Sequence, residues 1–230
     1  AVKTGSYEVR KEGKNMNEYR YLDELMERYP KLTPVRGEIE KAYEILRDCY
    51  AAGGKLLAAG NGGSCADCEH IVGELMKGFV KRRELDEGLK EALKNADQER
   101  GEALAGKLQQ GLPAIALTGH NGLTTAFLND VDPGMAFAQQ VIGYGREGDV
   151  FLGITTSGNS ENVVLAAVAA RAKGMKVIGL AGRDGGKMKG KSDVCIVAPE
   201  QETYKIQELH LPIYHALCLM LEEHFFPSAR

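Results

Sequence analysis

At 230 residues, with 29 Lys and Arg against 32 Asp and Glu, the chain is long enough for one well-buried α/β domain. Its formal net charge of −3 and lack of a basic stripe exclude a nucleic-acid footprint, and no apolar run approaches the ~20 residues of a membrane span. The polar stretch Ala1 to Asn17 has no secretory apolar segment, and the five cysteines (Cys49, Cys65, Cys68, Cys195, Cys218) are odd in number. Both features lead to an expectation of free thiols in a reducing cytoplasm.

In chain order, residues 16–29 have helical spacing, with Tyr19, Leu22, Leu25 and Met26 on one side and Pro30 as the stop. A second helix is predicted over about 35–52, with Ile39, Ala42, Tyr43, Ile45 and Leu46 apolar and Gly53-Gly54 ending it. Strands are then predicted at 55–59, 113–118, 149–154, 176–181 and 193–197, with helices starting near Ser64, Leu123, Ser160 and Glu202. This alternation predicts a parallel sheet with helices on both faces, and ligands beyond the carboxyl ends of its strands. The charged stretch 81–111, rich in Leu, Ala, Glu and Lys, interrupts the alternation and reads as one or two helices packed over the domain. Its leading Lys81-Arg82-Arg83 reads as a solvated helix end.

Two turns carry most of the chemistry. Gly60-Asn61-Gly62-Gly63-Ser64 and Thr156-Ser157-Gly158-Asn159-Ser160 each follow an apolar strand and precede a helix. Glycine lets backbone N–H groups converge, the helix N-terminus adds unpaired donors, and hydroxyls add more. That combination holds phosphate. One such turn is ordinary loop chemistry; two at the ends of parallel strands are a stronger signal.

Behind the first turn, His70 and Glu74 are four apart on a helix and share a face, which suits acid/base work, a metal, or a surface pair. The last helix holds Gln207, Glu208, His210 and His215. Gln207 and His215 lie about 80° apart around the axis, so both can border one cleft. Pro212 between them should bend the helix, either aiming His215 or fitting packing. Cys65-x-x-Cys68 admits a redox or zinc reading, although no second cysteine pair accompanies it; packing of small side chains is the plainer one. His120 and His224 have no partner in sequence and read as loop or surface residues.

These stretches, together with Asn129-Asp130 and Ile206-Gln207-Glu208, closely resemble the sugar isomerase (SIS) domain of phosphoheptose isomerases from about Tyr43 to Glu223. The resemblance implies a three-layer α/β sandwich with a central, mostly parallel five-stranded sheet. The SIS domain would occupy 35–230, after an N-terminal helical segment at 1–34 and with a helical insertion at about 81–111. It implies an aldose–ketose isomerase that converts sedoheptulose 7-phosphate to a heptose 7-phosphate, in a cytoplasmic homotetramer with active sites between subunits. By position it marks Glu74 and His215 as the acid/base pair, and His70, Glu74, Gln207 and His215 as ligands where Zn2+ is bound. Ser64, Thr156, Ser157 and Ser160, with Gly62 in the turn, would hold the phosphate; Asn61, Asn129 and Asp130 would meet the sugar hydroxyls. The longer 81–111 segment sets the chain apart and leaves the sugar open. The alternative is a non-catalytic SIS protein that binds a sugar phosphate or a partner, against which the retained Glu74 and His215 argue. A SIS enzyme of another kind, such as an amino-sugar phosphate lyase or isomerase, and a metal-dependent hydrolase are further rivals; the latter leaves the paired phosphate turns unexplained.

Overall fold

The computed structural model describes residues 18–227. Five strands form the sheet: β1 (Leu56–Gly60), β2 (Ala114–Ala116), β3 (Val150–Thr155), β4 (Lys176–Gly182) and β5 (Val194–Ala198). They lie in the order β2-β1-β3-β4-β5, every neighbouring pair parallel. The ten α-helices among the described residues are α1 (Arg20–Arg28), α2 (Arg36–Ala51), α3 (Gly63–Met76), α4 (Glu87–Ala96), α5 (Gln98–Lys107), α6 (Asn121–Asp130), α7 (Ala136–Tyr144), α8 (Glu161–Ala172), α9 (Gly186–Lys189) and α10 (Thr203–Phe225).

Strand side chains alternate between two cores, as a pleated strand buried on both faces requires. Leu56, Ala58, Val150, Leu152, Ile154, Ile178 and Leu180 face one core, filled from α1, α2, α3 and α10. Leu57, Ala59, Phe151 and Val177 face the other, filled by Phe137 and Val141 of α7 and by Val163, Ala166, Ala167 and Ala170 of α8. The result is the three-layer sandwich. Leu22 and Leu25 of α1 belong to the first core, so α1 packs into the domain it precedes. Of the expected N-terminal helix, Met16 and Asn17 lie outside the described residues. The sequence reading placed no helix at α7.

The stretch after α3 contains α4 and α5, each capped by an aspartate: Asp86 accepts from the Leu89 N–H and Asp97 from the Arg100 N–H. The two helices lie against one another so closely that a Cβ at Gly101 would sit 2.1 Å from the Leu93 carbonyl oxygen. Its start overturns one expectation. Arg83 is buried, not solvated, because its charge is met on every side: Nε donates to Glu222 Oε1 (2.8 Å), while the other nitrogens donate to the carbonyls of Leu75 (2.6 Å) and Glu74 (3.0 Å). Lys81 pairs with Glu223 at 2.7 Å, and Arg82 alone of the three stays exposed.

Candidate active site

β1 and β3 are neighbours in the sheet, yet the chain leaves β1 towards β2 on one side and β3 towards β4 on the other. Their carboxyl ends therefore form a topological switch point, the place where open parallel sheets leave a crevice. Both glycine-rich turns fall there. Gly62, at φ 56°, turns the chain into α3; Gly158, at φ 70°, does so before α8. A Cβ at Gly158 would also lie 2.0 Å from the Gly185 carbonyl oxygen, so the second turn is packed against the β4–α9 loop.

The turns are tied together. Asn61 Nδ2 donates to Asn162 Oδ1 and Asn162 Nδ2 to Asn61 Oδ1, each at 2.9 Å. Ser160 Oγ pairs with Thr155 Oγ1 at 2.9 Å, and Ser157 Oγ accepts from the Asn159 N–H at 3.2 Å. Ser64 is buried in the first turn of α3, while Thr156 and Ser157 are half-buried. Gln207 reaches the same place from α10: a Cβ at Gly63 would lie 2.5 Å from its Nε2.

Further along α3, four side chains converge. His70 Nε2 is 3.3 Å from Glu74 Oε1 and 3.4 Å from His215 Nε2. Tyr214 donates its hydroxyl to Asp67 Oδ1 (3.2 Å), so it accepts from His70 Nδ1 at 3.0 Å. This chain of bonds places a proton on His70 Nδ1 and turns Nε2 towards Glu74 and His215. Burial, with the Asp67 carboxylate beside it, pushes the Tyr214 phenol up and keeps it a donor. Burial lowers the His215 pKa from its ordinary value, as does the adjacent His70; Glu74 opposes them. The other Glu74 oxygen, Oε2, receives Lys77 Nζ at 3.3 Å.

The donor types suit zinc, and 3.3–3.4 Å is the edge of a tetrahedron with ligands about 2.0–2.1 Å from its centre. His70 also has the oriented second nitrogen usual for a metal-bound imidazole. As the side chains stand, however, no three His, Cys, Asp or Glu among the described residues are arranged to hold a metal ion.

Asn129 and Asp130 are not drawn into this cluster. They end α6, exposed, with Asn129 Nδ2 donating to Asp130 Oδ1 (2.7 Å); among the described residues no hydrogen bond joins them to His70, Glu74 or His215. His210 is buried, with Nε2 donating to the Ala181 carbonyl at 3.0 Å, and serves as a bolt between α10 and β4. α10 runs unbroken through Pro212. Cys68 is buried, which pushes its thiol up, and Cys65 Sγ lies 3.9 Å from Glu69 Oε1. All five cysteines are free. His120 meets the Tyr144 hydroxyl (3.3 Å) and His224 pairs with Glu18 (3.1 Å).

Sequence reasoning gave no role to Asp67, Lys77, Thr155, Asn162 or Tyr214. Spacing could have found two of them: Asp67 lies three before His70 and Lys77 three after Glu74, each a helical neighbour.

The sequence matches the SIS domain over residues 20–110 and 99–182. It is 38% identical over 197 residues to the phosphoheptose isomerase of Leptospira biflexa, covering 86% of this chain and 87% of that one. With that of Aneurinibacillus thermoaerophilus it shares 40% over 186 residues, 81% of this chain and 79% of that one. Among solved structures, a phosphoheptose isomerase from Neisseria gonorrhoeae is 34% identical, with a TM-score of 0.67 over 90% of this chain and 94% of that chain. One from Francisella tularensis is 29% identical, with a TM-score of 0.68 over 92% and 100%. With its two glycine-rich turns at the sheet's switch point and these relatives along most of its length, the chain belongs to the SIS domain family, among the phosphoheptose isomerases.

Proposed function

We propose that the protein interconverts sedoheptulose 7-phosphate and a heptose 7-phosphate. The observation that carries this is a length. The first glycine-rich turn opens α3 and His70 and Glu74 lie further along the same helix, with His215 meeting them from α10; six residues from Ser64 to His70 span about 9 Å at 1.5 Å per residue. An extended sugar phosphate with phosphate on C7 places its C2 about 8 Å from phosphorus, at roughly 1.2 Å per bond. The reacting carbons of a C7 substrate therefore reach the cluster while the phosphate stays in the turns, with Ser64, Thr156, Ser157, Ser160 and the Gly62 turn as its donors. Asn61, paired with Asn162 here, would meet a sugar hydroxyl by exchanging that partner.

In this reading Glu74 takes the proton from the carbon beside the carbonyl and returns it to its neighbour. His215, less basic than an ordinary imidazole, moves the hydroxyl proton between the two oxygens. Tyr214 and Asp67 hold His70 in the orientation that confines both. Zinc, when bound, would be held by His70, Glu74, Gln207 and His215 after small side-chain shifts and would polarise the substrate's oxygens.

The surface supports assembly. α6 has no buried residue, and Leu128 (63% exposed), Val131 (64%), Ile142 (49%) and Val168 (46%) lie exposed on α6, α7, α8 and their links. Exposed large apolar residues on neighbouring helices favour a protein interface there. A homotetramer that covers it and brings Asn129 and Asp130 to a neighbour's site is the arrangement we favour. No helix among the described residues is long and apolar enough to cross a membrane, and the cytoplasm is the proposed location. Incubation with C5–C7 sugar phosphates tests the function: interconversion confined to the seven-carbon substrate is expected, and its absence overturns the reading.

A further inference from the structure

Lys77 has no part in the functional reading so far, yet its Nζ lies 3.3 Å from Glu74 Oε2 and 3.2 Å from the Gly78 carbonyl oxygen. We propose that Lys77 is a catalytic residue of this isomerase: its ammonium group receives the negative charge that forms on the substrate oxygen when Glu74 removes a carbon-bound proton. The proposal rests on the isomerase reading above.

The chemistry demands such a group. When Glu74 takes the proton, the C–H electron pair becomes a C=C bond and the carbonyl π pair moves onto oxygen. That oxygen becomes an anion until His215 delivers the neighbouring hydroxyl's proton to it. Glu74 then returns its proton to the other carbon, and all atoms are accounted for. Lys77 donates a hydrogen bond throughout and gives up no proton. Preorganised charge aimed at a developing oxyanion is among the largest contributions to enzymatic rates.

The geometry singles out Lys77. Among the described residues two side chains bring a nitrogen within 3.3 Å of a Glu74 oxygen, His70 and Lys77, and His70 is held by Tyr214 inside the proton-transfer cluster. Arg83, the other cation nearby, is fully occupied by Glu222 and the α3 carbonyls. The backbone on which Lys77 stands is held firmly. α3 ends at Met76, where Lys77 turns extended, and its last carbonyls are clamped by Arg83. Gly78 donates to Gln109 Oε1 (3.1 Å), and a Cβ there would lie 2.1 Å from the Lys81 carbonyl oxygen. Glu222 then gathers the N–H groups of Phe79 (2.7 Å), Val80 (2.9 Å) and Lys81 (3.2 Å). The far end of the α4–α5 stretch returns to this point, Gln110 donating to the Arg83 carbonyl at 2.7 Å. A 58% exposed side chain thus stands on an anchored base, within reach of a substrate oxygen beside Glu74.

A plain surface pair would be worth little and would leave turnover untouched. The test is Lys77→Met and Lys77→Arg, assayed beside the parent on sedoheptulose 7-phosphate with melting temperatures recorded. Expected are a kcat lower by about 10²-fold in Lys77→Met, a KM within about twofold, partial recovery in Lys77→Arg and unchanged melting. An unchanged kcat in Lys77→Met overturns the proposal, as does a raised KM with kcat intact, which would make Lys77 a ground-state binder. Those results need an active parent; a parent inactive on every sugar phosphate would bring down the isomerase reading and this proposal with it.

Discussion

Arg83 and Glu222, 139 positions apart, form an ion pair with side chains 0% and 1% exposed and Nε–Oε1 at 2.8 Å. The pair joins the carboxyl end of α3, which bears Glu74, to the end of α10, which bears His215. Glu222 also accepts three backbone N–H groups, and the Arg83 guanidinium stacks over Phe226 with its carbon 4.7 Å from the ring centroid. Every polar atom has a partner, the condition under which a buried pair holds a fold instead of weakening it.

Arg83→Met should therefore be costly, because it leaves the buried Glu222 carboxylate without its cation and removes the donors to the Leu75 and Glu74 carbonyls. A loss of about 3–5 kcal/mol is expected, with a melting temperature lower by on the order of 10 °C in a chain of this size. Urea unfolding measures it. A loss below about 1 kcal/mol would mean that solvent reaches the pair.

How much of this was readable from the residues differs from place to place. The strands were, to within one residue or so at most ends, because apolar runs closed by glycine or aspartate leave few alternatives: the expected 176–181 became Lys176–Gly182. The two glycine-rich turns were also readable as strand-to-helix joints, as glycine and hydroxyl residues between strand and helix have a local cause. Arg83 was not. Its burial depends on an acceptor on a helix 139 residues later and on carbonyls freed by the end of α3. The Asn61–Asn162 pair is hidden for the same reason, spanning 101 positions. α7 escaped because Gly143 and the short run Ala136–Tyr144 give a weak period, and its stability comes from packing on α8.

The buried His210 makes stability depend on pH. Burial lowers its pKa to about 4, and its bond to Ala181 opposes that only in part. An unfolded imidazole titrates near 6.5, so between about 6.5 and 4 the unfolded chain binds a proton that the folded chain refuses. Stability from this group is thus complete above pH ~6.5 and lost as pH falls to ~4, about 3 kcal/mol in all. His210→Gln, whose amide can still donate to Ala181, should flatten that part of the urea-midpoint curve. An unchanged slope would assign the acid loss to other groups.

The second turn should show itself in binding. Ser157→Ala removes one hydroxyl donor to a charged acceptor, worth roughly 1.5–3 kcal/mol, so affinity for sugar phosphates should fall about tenfold or more. The fold should be unaffected, since Ser157 Oγ serves otherwise only the Asn159 N–H. Equal affinity by titration calorimetry would remove Ser157 from the site.

Assembly is open to a surface substitution. Leu128 and Val131 are 63% and 64% exposed, so Leu128→Asp with Val131→Asp costs the single chain little and puts two charges into any interface built on α6. Light scattering should then show dissociation of a homotetramer, with circular dichroism intact and activity lost. A parent that is a fully active monomer would end the idea of sites completed by a neighbour.

Glu74 and His215 reach one another through His70, whose Nε2 stands 3.3 Å from one and 3.4 Å from the other. If they share the proton transfers, Glu74→Gln and His215→Ala should each lower turnover by about 10²–10⁴-fold. The double variant should lose far less than the product, because residues acting as a unit are not additive. Both changes would also weaken zinc held by the proposed set, so metal content has to be measured with the rates. Solvent deuterium gives an independent readout, since a proton taken up by Glu74 exchanges before it returns to carbon. Parent protein should place deuterium at C1 or C2 of the recovered sugar, and Glu74→Gln should not. A folded Glu74→Gln protein that isomerises and exchanges at the parent rate would move the base elsewhere in the cleft.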